Sequence, residues 1–389
     1  MNKNPRKKLI FLKTYNTFFA RIQIMGKCEL CQKESEYISS FLSLCKNCIL
    51  GKPEKALSII MKAHKISREK FGLTPFIPRK GLQCKSCGNE CKIPEGKKGF
   101  CGLVENQNNK LIRLAGIKDK GLCEWYYDPL PTNCVSVEFC PGGIGCGYPK
   151  FAKTKGPEYG YDNLSVFYGA CNFNCLFCQN WHFKYLTKSL SPLISAEDLA
   201  SKVNEKVTCI CYFGGTPDPQ LIHAIETSKL ALESKKDILR ICMETNGNSN
   251  PLLLKKFAMI AYESGGNIKF DLKTFDENLN LALTGISNKV TKKNFKMLVK
   301  FHKKRFEVPF LTASTLLVPG YIDENQVRKI SRFIASLDET IPYNLLAFYP
   351  HFMMDDLPLT SRSLAENCLK IAKEEGLKKV RIGNVHLLQ

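Results

Sequence analysis

The sequence has no long hydrophobic run and is poor in acidic residues. No stretch of eighteen consecutive apolar residues occurs in its 389 residues, so we expect no membrane-spanning helix. The first residues are basic and then apolar, but Lys13 and Arg21 interrupt the apolar part and no small-residue cleavage site follows cleanly. We therefore expect no signal peptide.

Acidic residues are scarcest near the N-terminus. The whole chain has 36 Asp and Glu against 57 Lys and Arg, a net charge of +21. Residues 1–80 hold 17 Lys or Arg and only 5 Asp or Glu. Such a cationic segment is compatible with contact to RNA, to an anionic lipid surface or to an acidic partner. Solubility alone explains it equally well, so the charge leaves the partner open.

Cysteine is abundant, with 19 residues. Most cysteines fall in short-spaced groups typical of metal binding, and they are not scattered as in a secreted disulfide scaffold. We therefore expect a reducing, cytoplasmic location. The chain is longer than one ordinary domain, which predicts a domain of over two hundred residues and a smaller N-terminal part.

Two groups of four cysteines precede the catalytic region. The first pairs two Cys-x-x-Cys turns, which can enclose one zinc ion in a closed, structural site: Cys28, Cys31, Cys45 and Cys48. The second also supplies four ligands: Cys84, Cys87, Cys91 and Cys101. Zinc and an auxiliary iron–sulfur cluster both accept four thiolates, with zinc slightly favoured.

The remaining cysteines outside the main motif have irregular spacing. One set lies in a segment rich in proline and glycine and could hold an electron-relay cluster or simply pack together: Cys123, Cys134, Cys140 and Cys146. The others lie in strand or helix patterns, where we expect buried core thiols: Cys209, Cys211, Cys242 and Cys368.

Cys171, Cys175 and Cys178 place three thiolates within eight residues. A cubane of four irons is normally held by four cysteines, so a three-cysteine loop implies that the fourth iron binds something else. Open coordination positions are where catalytic metals work. The alternative is a structural zinc knuckle completed by a distant fourth ligand.

From residue 163 onward, strand-like and helix-like segments alternate. Apolar runs predict strands over 164–168, 207–213, 238–244, 267–272, 310–318 and 343–348. Amphipathic helices are predicted to begin near Ser195, Asp218, Asn250, Val290, Asp323 and Ser361. Six β-α units of this kind form a parallel sheet. If the sheet is a barrel, its active site lies at the C-terminal ends of the strands.

The spacing Cys-x3-Cys-x2-Cys, with Phe177 before the last cysteine, resembles the signature of the radical S-adenosylmethionine superfamily. The stretch from Cys84 to Cys101 is similar to the N-terminal part of a branch related to pyruvate formate-lyase activating enzyme, which includes the AmmeMemoRadiSam enzymes. The resemblance covers roughly residues 80–350. It implies an α/β fold, an open, partial (β/α)6 TIM barrel, with a 4Fe-4S cluster on the three cysteines. It also implies S-adenosylmethionine on the free iron and a 5′-deoxyadenosyl radical that abstracts hydrogen.

The resemblance also implies a set of cofactor-binding residues at the strand ends. Phe177 would pack on adenine, and Gly214 with Gly215 match a Gly-Gly-Glu-like motif in which Thr216 replaces the glutamate. Further residues are candidates for ribose, carboxylate or adenosine contacts: Glu244, Asn246, Asp271, Lys273 and Val318. Asp271 and Lys273 could instead simply pair with each other.

These patterns predict three regions and one main function. We expect a basic arm with a zinc-knuckle-like site and a helix over 1–75, a cysteine-rich segment over 76–160 and the barrel over 161–389. The function implied is that of a radical enzyme, served by ferredoxin or flavodoxin, which activates a partner protein as glycyl-radical activating enzymes do. The substrate stays open between protein, RNA and small molecule. Alternatives are a radical enzyme that modifies RNA or lipid, and a non-catalytic metal-knuckle protein that binds nucleic acid.

Overall fold

The computed structural model describes residues 25–235 and 237–389. Residues 1–24, the most basic part of the predicted arm and the start considered for a signal peptide, lie outside the described residues. In the described cysteine-rich part the elements are β1 (Gly26–Lys27), β2 (Glu34–Ser35), α1 (Lys46–Gly51), α2 (Pro53–Glu69), β3 (Leu82–Gln83), β4 (Lys92–Ile93), β5 (Val104–Gln107), β6 (Lys110–Arg113), β7 (Gly121–Pro129) and α3 (Pro141–Ile144).

The region after residue 160 alternates strands and helices. Its elements are β8 (Asp162–Tyr168), α4 (Phe183–Ser189), β9 (Leu193–Ile194), α5 (Ala196–Ala200), β10 (Val207–Gly214), α6 (Leu221–Ser234), β11 (Arg240–Thr245), α7 (Pro251–Glu263), β12 (Ile268–Asp271), α8 (Glu277–Thr284), α9 (Lys289–His302), β13 (Leu311–Leu317), α10 (Glu324–Leu337), β14 (Tyr343–Ala347), α11 (Arg362–Glu374) and β15 (Val380–Gly383). No helix of the described part of the chain has the length and apolar character needed to cross a membrane.

One nine-stranded sheet organises this region. Its strand order is β15-β14-β13-β12-β11-β10-β8-β7-β9, and β8 together with β10 to β15 pair in parallel. The six predicted strands are present in this order, which confirms the α/β architecture. The structure adds β15 at one edge, and it adds β7 and β9 as antiparallel strands at the other. Because β15 and β9 are the two ends of this order, the sheet is open.

Side-chain caps explain where several helices begin. The side chains of Ser195, Asn250, Asp323 and Ser361 each accept a hydrogen bond from a backbone N–H in the first turn of the helix that follows. Such a bond satisfies a donor that the helix itself leaves without a partner. The predicted helix starts at these four residues are confirmed.

The N-terminal cysteine region packs directly on the barrel. Cys28 and Ile60 belong to the same buried apolar cluster as the sheet residues Ile210 and Ala313. The Tyr321 hydroxyl donates to the carbonyl of Leu44 at 3.0 Å, and helices α1 and α2 both contact α8. The first metal-binding region and the barrel therefore share one core.

Candidate active site

A cavity of about 150 Å³ lies at the C-terminal ends of β8, β10, β11 and β12. The loop that follows β8 brings Cys171, Cys175 and Cys178 to its wall. Eight of the nine other residues predicted for this site line the same cavity: Phe177, Gly214, Gly215, Thr216, Glu244, Asn246, Asp271 and Lys273. The sequence motifs thus converge on one place, at the end of the sheet where catalytic sites of such folds lie.

Val318 is the exception among the predicted residues. It is fully buried just after β13, where its N–H donates to the carbonyl of Leu316 at 3.0 Å. Leu316 and Leu346 line the cavity instead. The structure therefore offers Leu316, not Val318, as the β13 residue facing a bound ligand.

Backbone and side-chain hydrogen bonds fix the cysteine loop. The N–H groups of Asn174 and Leu176 donate to the carbonyls of Thr284 and Leu283, at 2.8 and 2.9 Å. The loop is therefore attached to the C-terminal end of α8. These two hydrogen bonds restrain the position of the loop.

The Asn174 side chain connects the loop to α2. Its amide nitrogen donates to Nδ1 of His64 at 2.8 Å and to the hydroxyl of Ser67 at 2.7 Å. Its amide oxygen accepts from Nζ of Lys184 at 2.7 Å. Burial lowers the pKa of His64 to about 4, so this histidine is neutral and can accept through Nδ1. This connection was not predicted, because it joins residues more than a hundred positions apart.

Hydrogen-bond donors also face the sulfur of Cys171. The N–H of Phe173 lies 3.3 Å from this sulfur, and the side-chain nitrogen of Asn246 lies 3.7 Å from it. The same Asn246 nitrogen donates to the side-chain oxygen of Asn172 at 2.8 Å. Asn246 is thus occupied in holding the cysteine loop, a role different from the ribose or carboxylate contact suggested by its motif.

Two lysines provide positive charge beside the cysteines. Burial raises the pKa of the Cys175 thiol to about 12, while Lys273 and Lys184 act in the opposite direction. Burial and nearby Arg68 lower the pKa of Lys184 to about 7. Metals bind thiolates, so cations at this position favour the form of cysteine that metal binding requires.

The two glycines after β10 let the backbone approach the cysteine loop closely. Gly214 has φ +106°, a conformation that residues with a Cβ rarely adopt. A Cβ on Gly215 would lie 2.4 Å from the carbonyl oxygen of Ala170. Neither position accepts a larger residue without movement of the backbone.

Thr216, which stands where the resembling motif has glutamate, uses its hydroxyl inside the protein. That hydroxyl donates to the buried carboxylate of Asp218, which also accepts from Thr245 at 2.7 Å and from Ser249. Burial raises the pKa of Asp218, and the hydrogen bonds from the three hydroxyls oppose this rise. Asp218 was predicted only as a helix start, because nothing local in the sequence shows that it collects three hydroxyl groups.

Asp271 and Lys273 form an ion pair at the cavity. Nζ of Lys273 lies 2.5 Å from the Asp271 carboxylate, which also accepts from the hydroxyl of Ser314 at 2.9 Å. Nζ of Lys273 also lies 5.7 Å from the ring centre of Phe177. The simple pairing considered for these two residues is present, and the pair faces the cavity.

The upstream cysteines separate into a compact set and wider sets. All four sulfurs of Cys28, Cys31, Cys45 and Cys48 lie within 4.8 Å of one another, and no other such group was found among the described residues. A zinc ion with sulfur ligands at about 2.3 Å requires this compactness. The first set is therefore compact enough to hold one zinc ion.

The second set lies against the cysteine loop of the cavity. Cys84, Cys91 and Phe100 share a buried apolar cluster with Cys171 and Phe173. Between these upstream cysteines, the Asn89 side chain donates to the carbonyl of Asn172 at 2.8 Å. The segment that carries the second set thus supports the loop directly.

Comparison with known proteins agrees with this geometry. Residues 165–334 match the family described as "Radical SAM superfamily". The chain contains a radical SAM domain. Among curated proteins, the chain is similar to two from Methanocaldococcus jannaschii. "Uncharacterized protein MJ0808" is 26% identical over 312 residues, which is 78% of this chain and 81% of the relative. "Putative glycyl-radical enzyme activating enzyme MJ1632" is 27% identical over 223 residues, or 56% of this chain and 78% of the relative.

Solved structures provide further comparisons. A domain of pyruvate-formate lyase-activating enzyme from Bacteroides vulgatus is 20% identical and gives a TM-score of 0.36, covering 45% of this chain and 98% of that domain. Streptococcus suis SuiB bound to its precursor peptide SuiA is 16% identical and gives a TM-score of 0.38, covering 56% of this chain and 47% of SuiB.

The residues at the cavity fit the cofactors that the radical SAM family implies, a 4Fe-4S cluster and S-adenosylmethionine. Three cysteines line the cavity, and the described chain brings no fourth cysteine to its wall. The glycine pair provides a surface that an added Cβ would block. Polar and charged groups complete the lining, as a zwitterionic ligand requires.

Proposed function

We propose that the protein is a radical SAM enzyme that removes a hydrogen atom from a protein or peptide substrate. The supporting observation is the cavity itself, in which Cys171, Cys175 and Cys178 meet the glycine pair and the strand-end polar groups. The relative named as a putative glycyl-radical enzyme activating enzyme supports the choice of a protein substrate.

The three cysteines would hold the 4Fe-4S cluster, and the backbone of Gly214 and Gly215 would lie against bound S-adenosylmethionine. Together, the reduced cluster and S-adenosylmethionine supply a carbon radical strong enough to take hydrogen from an unactivated substrate. Glu244, which faces the cavity from the end of β11, is placed to contact polar groups of this ligand. Phe177, only 3% exposed, supplies an apolar surface beside it.

Aromatic side chains shield the cysteine loop from water. Phe352 stacks on Trp181 with ring centres 5.7 Å apart, and Phe71 packs edge-on against Tyr185 at 5.3 Å. The N–H of Met353 donates to the carbonyl of Leu176 at 2.9 Å, which holds the segment after β14 on the loop. Exclusion of water protects a reactive radical from side reactions.

One upstream cysteine set would stabilise the fold, and the other would transfer electrons to the catalytic cluster. We assign zinc to the compact set beginning at Cys28. The wider spacing of the set beginning at Cys84 favours an auxiliary iron–sulfur cluster over zinc. Ferredoxin or flavodoxin is the expected electron donor. None of the 19 cysteines, all of which lie in the described part of the chain, forms a disulfide, which suits a protein of a reducing compartment.

The central test is anaerobic reconstitution of the full chain with iron and sulfide, followed by reduction in the presence of S-adenosylmethionine. We expect 5′-deoxyadenosine from the normal chain and none from Cys175→Ala. Cys368→Ala is the matched control, since Cys368 is fully buried away from the cavity. An equal yield from normal and Cys175→Ala chains would refute the proposal.

The substrate class can be tested by adding an extract of the source organism to the reconstituted protein. We expect the extract to increase the yield of 5′-deoxyadenosine, and we expect pretreatment of the extract with protease to abolish the increase. An increase that ribonuclease abolishes, and protease does not, would replace the protein substrate with RNA.

A further inference from the structure

A second cavity, of about 120 Å³, lies against the same face of the sheet as the first one, nearer the N-terminal ends of the strands. Phe213 and Glu244 line both cavities and separate them. The segment from Thr132 to Gly143 covers the second cavity from the side of the N-terminal strand ends. Five cysteines contribute to its lining: Cys134, Cys140, Cys209, Cys211 and Cys242.

Strand geometry explains how these cysteines meet. Alternate residues of a strand face the same side of a sheet, so Cys209, Cys211 and Phe213 of β10 face the cavity together. Cys211 is the register partner of Cys242 on β11. The segment before α3 then brings Cys134 and Cys140 across the opening. Cys211 and Cys242 were predicted to be buried core thiols, and this was wrong because both are only partly buried and line a cavity.

Two cations touch sulfur in this cavity. Nζ of Lys269 lies 2.9 Å from the sulfur of Cys134, 3.2 Å from that of Cys211 and 3.3 Å from the Glu244 carboxylate. Nη2 of Arg240 lies 3.7 Å from the sulfur of Cys209. The Lys269 side chain is only 4% exposed, so its ammonium group is buried against two sulfurs and one carboxylate.

We propose that this cavity binds a second iron–sulfur cluster within the barrel, held by four of these five cysteines. The cavity sulfurs do not form a group as compact as the zinc-type set at Cys28, which disfavours a single zinc ion. In a 4Fe-4S cluster each thiolate binds a different iron, so the sulfurs stand farther apart than around one zinc ion. Lys269, which contacts two of the sulfurs, would offset part of the negative charge that thiolate ligands bring.

The proposal is independent of the catalytic cluster and is best tested without it. A full chain with Cys171, Cys175 and Cys178 all changed to alanine serves as the parent for reconstitution under anaerobic conditions. We expect this parent to retain bound iron and sulfide and to show an electron paramagnetic resonance signal after reduction. Adding Cys211→Ala and Cys242→Ala together leaves three of the five cysteines and should remove about four irons per chain, the content of one 4Fe-4S cluster.

Two control variants distinguish loss of this cluster from loss of metal at the upstream cysteine set and from loss of folding. Cys123→Ala removes a buried cysteine outside the cavity and should leave the iron content unchanged. Cys84→Ala reports on the upstream set and should remove a different signal. If the chain with both Cys211→Ala and Cys242→Ala keeps the parent's iron, sulfide and signal, or if the parent holds zinc in this cavity, the proposal is wrong.

Lys269→Met provides a test that leaves every cysteine in place. Removal of the ammonium group from two sulfurs should make the cluster harder to reduce, so its reduction potential should become more negative. The matched control is Lys229→Met on the exposed face of α6, which should leave the potential unchanged. An unchanged potential in Lys269→Met would contradict the placement of the cluster.

Discussion

Replacement of Glu158 by glutamine should strongly destabilise the barrel, because Glu158 carries the charge that balances buried Arg240. Arg240 donates to both carboxylate oxygens of Glu158, at 2.8 and 2.6 Å, and the two side chains are 2% and 0% exposed. The Glu158→Gln change would keep the shape of the side chain and remove its charge. Breaking one partner of a buried pair costs about 3–5 kcal/mol, and total stability is about 5–15 kcal/mol.

The measurement is the free energy of unfolding in urea, with the normal and variant chains in the same metal-loaded, anaerobic state. Glu226→Gln is the matched control, since Glu226 pairs with Lys229 at 3.2 Å on a surface where the side chains are 34% and 52% exposed. That pair should contribute at most about 1 kcal/mol. The reasoning is refuted if Glu158→Gln costs no more than the control.

Acidic pH should reduce the difference between the normal chain and Glu158→Gln. Burial acts to raise the pKa of Glu158, but the hydrogen bonds and charge of Arg240 outweigh it, so the pKa lies below its ordinary value. The stabilisation is therefore complete above the unfolded-state pKa of about 4.3, and it is lost as the pH falls through the lower folded-state pKa. The two chains should converge in stability in that acidic range.

Two further predictions concern a backbone position and a buried histidine. Gly215→Ala should abolish binding of S-adenosylmethionine, because the added Cβ would lie 2.4 Å from the Ala170 carbonyl oxygen. Equilibrium dialysis measures this binding. The control is Gly51→Ala, whose added Cβ would meet no atom within 4 Å, and it should bind normally. Burial lowers the pKa of His223 to about 4. Between about pH 6.5 and about pH 4 the unfolded chain therefore takes up a proton at this histidine and the folded chain does not. This difference should reduce the free energy of unfolding by on the order of 3 kcal/mol over that range. In urea titrations across this range, His223→Gln should show a smaller loss, and an equal loss in both chains would refute the assignment.

Local signals in the sequence predicted the repeating part of the fold. Asn250 and Asp323 act as capping residues next to amphipathic segments, so their helices could be placed to within a residue. Strand β7 was missed because its residues, such as Trp125, are ordered by antiparallel pairing with β8, which no local pattern encodes. The short strand β15 has too few residues for a clear alternation.

The sequence predicted those residues of the candidate site that lie at the C-terminal ends of strands. Gly215 and Lys273 come directly after strand-like runs, and parallel strands bring such positions to one edge. The contacts of Asn174 and the cavity at Cys211 depend on how distant segments pack, and single-sequence patterns carry no such information. Val318 does not line the cavity, which Leu316 of β13 reaches instead, and the sequence has no local signal that distinguishes the two.

The hydrogen bonds that join His64 and Ser67 to Asn174 bear on how shortened forms of this protein should be made. A fragment cut at the start of the barrel would contain every cysteine of the catalytic motif, yet it would lack the helix that holds their loop. Such a fragment should bind the cluster and S-adenosylmethionine poorly. A lack of activity in the fragment would therefore not show that the intact chain is inactive. The smallest useful fragment must therefore retain α2 together with the compact cysteine set that begins at Cys28.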